Sequence, residues 1–286
     1  MAPALVYARL TWREARRRRL LLALLILTLI MVAATSWGFS KLWDIRVQGR
    51  PPGAAFVRTT ASQIMIVVAF MFTTVLGLSA TVVSSPSVSG DLESGLALSM
   101  LARPVRRADL LLGKWLGFVV LVVAYSGGAA LLEMLLVNWA TGYMPPHPFA
   151  FVAFVSAVGI TLVTLSMALS TRLSGLVGGV IALVAFFMSW MGGIVGSIGL
   201  ALQNQPLIDA GAVTRFLVPA DGLWRGAIWA LEPSVVIATV RAAGPGAASN
   251  PFFAADPPPT LYLAWCAVWV LGLLALALWS LNKREI

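Results

Sequence analysis

The sequence predicts an all-α protein that crosses a membrane six times. Three observations carry that prediction. Hydrophobic residues make up 59% of the 286, charged residues only 11%, and the mean hydropathy is +0.90. No water-soluble domain of this length can bury so much apolar side chain. The apolar residues gather in six runs, each near the ~20 residues a helix needs to cross a bilayer. Within those runs apolar and polar residues do not alternate, as they would in the strands of a barrel, so the spans are helices.

Taken in order, residues 1–19 read as an interfacial helix. Leu5, Ala8, Trp12 and Ala15 form an apolar stripe, with Arg9, Arg13, Arg16 and Arg17 off it. Such a helix lies on the headgroups with its cations toward anionic lipid. The tetrapeptide from Ala33 to Ser36 loosely suits signal-peptide cleavage, but the polar lead is long and no cleavage is expected. The first span covers 20–39. A polar connection, 40–60, contains a Pro51-Pro52-Gly53 turn, and the second span is 61–83. The third is 110–137, the fourth 149–170, the fifth 175–202 and the sixth 261–281. The segment 203–260 is read as external and partly helical, with short helices near 221–231 and 234–242.

Between the second and third spans lies the polar stretch 84–109. Val88, Leu92, Leu96 and Met100 recur every four residues, which puts them on one helical stripe. Asp91 and Glu93 are expected near the start of that helix, where backbone amides favour negative charge. Pro104 ends it, and Arg103, Arg106 and Arg107 crowd its exit. A docking element for a soluble partner and an ordinary inter-span loop both fit this pattern.

Orientation follows from the Lys and Arg count. Thirteen lie at the termini and on the 84–109 side, against seven on the other side, which also has the longest loop. Both termini and the 84–109 stretch are therefore expected in the cytoplasm. The net charge of +9 is read as this asymmetry and not as nucleic-acid binding, because the cations flank spans.

The chemistry is sparse. Lys114 and Glu133 are the only ionisable groups of the predicted spans, which argues against an ion-coupled transporter. One histidine, His147, in a Pro-rich loop excludes a two-histidine zinc motif, and is expected to be a solvated loop residue. One cysteine, Cys266, excludes an intrachain disulfide. No metal site is expected. No GxxxxGK[ST] phosphate loop exists, so any ATP must bind another chain. Glu133 is expected to reach water at the outer end of its span, and Asp221 to cap a helix N-terminus. Gly175 with Gly179, and Gly192 with Gly196, have the spacing of close-packed helices, either within one subunit or between two.

The segment GDLESGLALSMLARPVRRADLLLGKWLG resembles the cytoplasmic signature of type-2 ATP-binding-cassette permeases. The matching positions are Glu93, Gly95, Leu101, Pro104, Arg107, Gly113 and Lys114. Leu96 stands where the family usually has Thr. The six-span layout and the segment LVPADGLWR fit the same family, and within it the chain is most similar to the permease subunit of the nitrous-oxide reductase maturation transporter. The resemblance implies one permease domain over 1–286, no cofactor in this chain, and no enzyme activity of its own. It implies a homodimer bound to two cytoplasmic ATPase subunits, which hold ATP and Mg, in the bacterial cytoplasmic membrane. Val88, Asp91, Leu92, Glu93, Gly95, Leu96 and Met100 would form the helix that couples to the ATPase, and Gly175, Gly179, Gly192 and Gly196 a dimer seam. Export would be the direction. The alternative is an anchor or mechanotransmitter that moves an external partner protein and passes no cargo.

Overall fold

The computed structural model describes residues 6–10, 19–46, 49–93 and 106–283. Among these the chain is helical, with no strand. We label the helices α1 (Arg19–Ser40), α2 (Ala54–Ser84), α3 (Pro86–Glu93), α4 (Arg107–Thr141), α5 (Pro148–Ser170), α6 (Gly175–Leu202), α7 (Gln205–Leu217), α8 (Ala220–Leu231), α9 (Ser234–Ala243), α10 (Pro245–Ala248) and α11 (Thr260–Asn282). Six of them, α1, α2, α4, α5, α6 and α11, are long and apolar enough to cross a membrane. The six expected spans are therefore present.

Two of them are longer than expected. α2 has 31 residues and α4 has 35. At 1.5 Å per residue these reach about 46 and 52 Å, beyond a hydrocarbon core of roughly 30 Å. The Pro51-Pro52-Gly53 turn marks the start of α2, and from Ala54 onward nothing interrupts the helix. Its polar first turns were legible only as a loop. At the far end of α4 the chain turns on Gly142, whose φ of 70° is left-handed backbone that glycine adopts freely.

α5 is the hub. It packs on α2, α4, α6, α8 and α11, and Val155, Val158, Leu162 and Val163 are fully buried on it. Its small polar residues let neighbours approach and give them hydrogen-bond partners. Ser156 and Ser126 share a bond of 2.7 Å, Trp115 Nε1 donates to Thr164 Oγ1 at 2.9 Å, and Ser166 Oγ donates to the Thr81 carbonyl at 3.2 Å. α1 and α11 are peripheral, with most of their apolar surface facing outward.

The segment 203–260 differs most from expectation. α8 and α9 fall where short helices were predicted. α7 was not predicted, although Asn204 caps it, its side chain accepting from the Leu207 amide at 3.3 Å, and Pro206 occupies the first turn. α7 folds back along α6. α8 is nearly all buried, against α5, α6 and α2. α8 and α9 meet at 112°, the geometry of a broken span or a re-entrant loop. The 203–260 segment is thus built into the bundle through α7 and α8.

Candidate functional site

The end of the bundle where α2 gives way to α3 carries the sequence signature. Ser85 is the only residue between the two helices, and Pro86 opens α3, where a missing N–H costs nothing. α3 is seated on the α5–α6 turn. The Ser85 hydroxyl bonds to the Gly175 carbonyl and lies 3.2 Å from Ser170 Oγ. A Cβ at Gly175 would stand 2.8 Å from Pro86 Cα and 2.9 Å from Ser89 Oγ, and one at Gly179 would stand 3.2 Å from Ser85 Oγ. These glycines are what let α3 lie against α6. From the other side, Lys114 Nζ of α4 donates to the Ser87 carbonyl. The short helix is therefore fastened to α2, α4, α5 and α6 together.

Val88, Asp91, Leu92 and Glu93 lie on α3. Gly95, Leu96, Met100 and Arg103 lie outside the described residues. One correction concerns the acids. α3 begins at Pro86, so its first turn holds no acidic residue, and Asp91 and Glu93 lie five and seven positions after that start. The helix starts earlier than the apolar stripe suggests because Pro86 follows α2 directly.

The basic residues at this end hold helix termini. The last carbonyls of a helix have no partner in the helix and carry partial negative charge, which favours cations. Arg107 donates to the Leu281 carbonyl at 2.8 Å, and Arg172 to Ser280 Oγ at 2.7 Å and the Ser280 carbonyl at 3.3 Å. Both thereby fasten the end of α11. Arg106 is exposed and precedes α4.

Residues 6–286 match the family described as ABC-2 family transporter protein. The chain belongs to that family. It is the membrane component of an ABC-2 transporter, a permease and not the catalytic part. No curated protein matches the chain.

The glycine pairs of this ABC-2 permease correct one expectation. All four face partners in the same chain. A Cβ at Gly192 would fall 2.0 Å from Thr214 Oγ1, and one at Gly196 would fall 3.2 Å from Gly211 Cα. Gly192 and Gly196 thus let α7 pack along α6, while Gly175 and Gly179 receive the α2–α3 corner. The spacing does mark close approach, and the approach seen in this chain is intramolecular.

Two further expectations are corrected by buried acids of the permease. Asp221 is not an N-cap: Pro219 holds that position, with no side-chain cap. Its carboxylate is 5% exposed, and accepts from Arg215 Nε at 2.8 Å with Arg225 Nε at 3.5 Å. Arg225 also donates to Ser197 Oγ at 2.5 Å, and burial lowers its pKa. This cluster joins α6, α7 and α8. Glu133 does not reach water; it is buried and accepts from Thr35 Oγ1 of α1 at 2.8 Å.

Sequence reasoning missed a third acid. Glu232, 2% exposed at the end of α8, accepts from Gln63 Nε2 of α2 at 3.0 Å. Burial pushes its pKa up to about 7. Nothing in a Leu-Glu-Pro tripeptide signals such burial. His147 is exposed as expected, although its ring also stacks on Trp229 at 4.4 Å. Among the described residues no three His, Cys, Asp or Glu side chains gather into a metal-sized group.

Proposed function

We propose that this permease is half of an ATP-driven exporter: a homodimer in the bacterial inner membrane, with both termini cytoplasmic, that two cytoplasmic ATPase subunits drive. ATP and Mg bind those subunits, because this chain has no phosphate loop. α3 and the residues after it, through Met100, form the surface that the ATPase grips, flanked by Arg103, Arg106 and Arg107. The observation that carries this reading is the fastening of α3. A helix joined to α2 by one residue, packed on Gly175 and Gly179 and bonded by Lys114 cannot shift without shifting α2, α4 and α6. An ordinary loop has no need of such attachment.

The Val88, Leu92, Leu96 and Met100 stripe supplies the apolar anchor. One anchor desolvated in a groove commonly carries ~2 kcal/mol or more, and charges at a rim carry less. Leu92→Asp and Leu96→Asp are expected to abolish co-purification of the ATPase or its stimulation, with membrane insertion unchanged. Variants that assemble and stimulate hydrolysis like wild type would sink this reading.

A second reading has its own support. α7 and α8 are tied to α6 by the buried Asp221 cluster, so motion of α6 reaches the 203–260 segment as a rigid push. That suits a mechanotransmitter acting on an external partner protein. Transport of cargo by reconstituted vesicles, without any external protein, would decide for the exporter.

A further inference from the structure

The corner between α8 and α9 turns on two residues. α8 closes where the Glu232 amide donates to the Ile228 carbonyl at 3.1 Å, and α9 opens where the Ile237 amide donates to the Pro233 carbonyl at 3.1 Å. Glu232 precedes a proline and is extended, with φ −76° and ψ 123°. The 112° bend is therefore set by the torsions of Glu232 and Pro233. The α8 side of the corner is held firmly. The Ala230 carbonyl accepts from the His147 amide at 3.2 Å, and the Leu231 carbonyl accepts from the Tyr143 hydroxyl. The α9 side is not. No residue of α9 is buried, and an exposed Arg241–Asp256 pair at 2.7 Å ties its far end. Exposed pairs of that kind contribute little.

Glu232 lies buried at this corner with half of its carboxyl group unsatisfied. Oε2 accepts from Gln63 Nε2 at 3.0 Å, whereas Oε1 is buried and has no hydrogen-bond partner. The charged and titratable groups of the surrounding elements are engaged elsewhere. On α2, Gln63 is neutral and Arg58 lies over Gly142. On the α4–α5 turn, Tyr143 gives its proton to the Leu231 carbonyl and the His147 ring stacks on Trp229. On α8, Arg225 turns to Asp221 and Ser197, and on α9, Arg241 turns to Asp256. Among the described residues no cation pairs with Glu232. A buried carboxylate with one neutral donor is costly, and the same group is far cheaper to bury when it carries a proton.

We propose that the α8–α9 corner is a proton-operated hinge. With Glu232 protonated the corner stays closed on α2 and the α4–α5 turn. When Glu232 gives its proton to water the corner opens, the carboxylate becomes hydrated and α9 swings away from the bundle. On the orientation proposed above the hinge senses the acidity outside the cell, but its operation does not depend on that orientation. Burial raises the Glu232 carboxyl to about 7 from 4.5, so closure is strongest below 4.5 and weakens as pH rises toward 7.

Amide hydrogen exchange read by mass spectrometry tests this on the full-length permease in nanodiscs. Each rate is measured at pH 5 and pH 8 and divided by the intrinsic chemical rate at that pH. Protection of 226–237 is expected to fall about tenfold or more from pH 5 to pH 8, while 155–163 of α5 keeps its protection. Glu232→Gln, neutral at both values, should keep 226–237 as protected at pH 8 as at pH 5. His147 is the other group at this corner able to titrate in the interval. His147→Phe keeps the ring stack and the backbone amide, and should leave the fall in place. Equal protection of the wild type at both pH values would overturn the hinge, as would an undiminished fall in Glu232→Gln. A fall that disappears in His147→Phe would assign the switch to the histidine instead. A parallel loss in α5 would mean that the whole bundle loosens, and that no local hinge exists.

Discussion

Asp221 shows what single residues do in this bundle. A carboxylate taken out of water needs its countercharges, and here Arg215 and Arg225 supply them. Breaking a buried pair from one side leaves the other charge unpaired and costs about 3–5 kcal/mol. Both arginines keep some solvent contact, so Asp221→Asn should fall at the lower end, about 3 kcal/mol. Thermal unfolding in detergent measures it, and adding Arg225→Met to Asp221→Asn should recover part of the loss. Glu232 has the opposite problem, an acid with no cation against it among the described residues. Its pKa is raised to about 7 from 4.5, so the folded state holds its proton more tightly than the unfolded chain. Stability is then greatest below the unfolded value and falls as pH rises toward 7. Glu232→Gln should flatten that dependence, leaving the variant close to wild type at pH 5 and more stable at pH 8. A wild-type melting temperature that does not fall between those pH values would contradict the burial of an unpaired acid. Neither role was legible in the sequence. Asp221 reads as a helix cap because a cap and the second residue of a helix differ by only two positions, and packing decides between them.

At the scale of elements the sequence was most legible where hydrocarbon sets the rule. A run of twenty apolar residues has little choice in a bilayer, and all six predicted spans stand as helices. It was least legible where helices continue past the membrane, as at both ends of α4 and the start of α2, because polar helix and polar loop look alike there. α7 had a readable start in Asn204 and Pro206, but its face toward α6 runs through Leu207, Gly211 and Thr214, in which one leucine makes no apolar stripe. The glycine spacing of α6 announced a close neighbour without naming it. Since that neighbour is α7, Gly192→Leu should unseat α7 and lower the melting temperature. Gly192→Ala is milder, and Thr214→Gly should partly restore it by clearing the side chain 2.0 Å from the new Cβ. Loss of dimer with an unchanged melting temperature would instead put Gly192 in a subunit seam.

For the molecule as a whole, the base of the bundle is a frame in which cations hold backbone carbonyls. Arg107 and Arg172 fasten α11, and Lys114 fastens α3. On the function proposed above, this separates two properties that a loop would confound, gripping the ATPase and passing on its motion. Leu92 belongs to the predicted gripping stripe, whereas Lys114 reaches the first turn of α3 from behind, at Ser87. A hydrogen bond from a charged donor to a carbonyl is worth about 1.5–3 kcal/mol, enough to loosen a corner without unfolding six spans. Lys114→Met should therefore leave ATPase co-purification near wild type and reduce permease-stimulated hydrolysis severalfold. Leu92→Asp should lose co-purification itself. Gly175→Val should resemble Lys114→Met, because its added atoms push against the Pro86 backbone and lift α3 from α6. If Lys114→Met instead releases the ATPase as Leu92→Asp does, Lys114 is part of the grip, and the division of α3 into a gripping face and a fastened face is wrong.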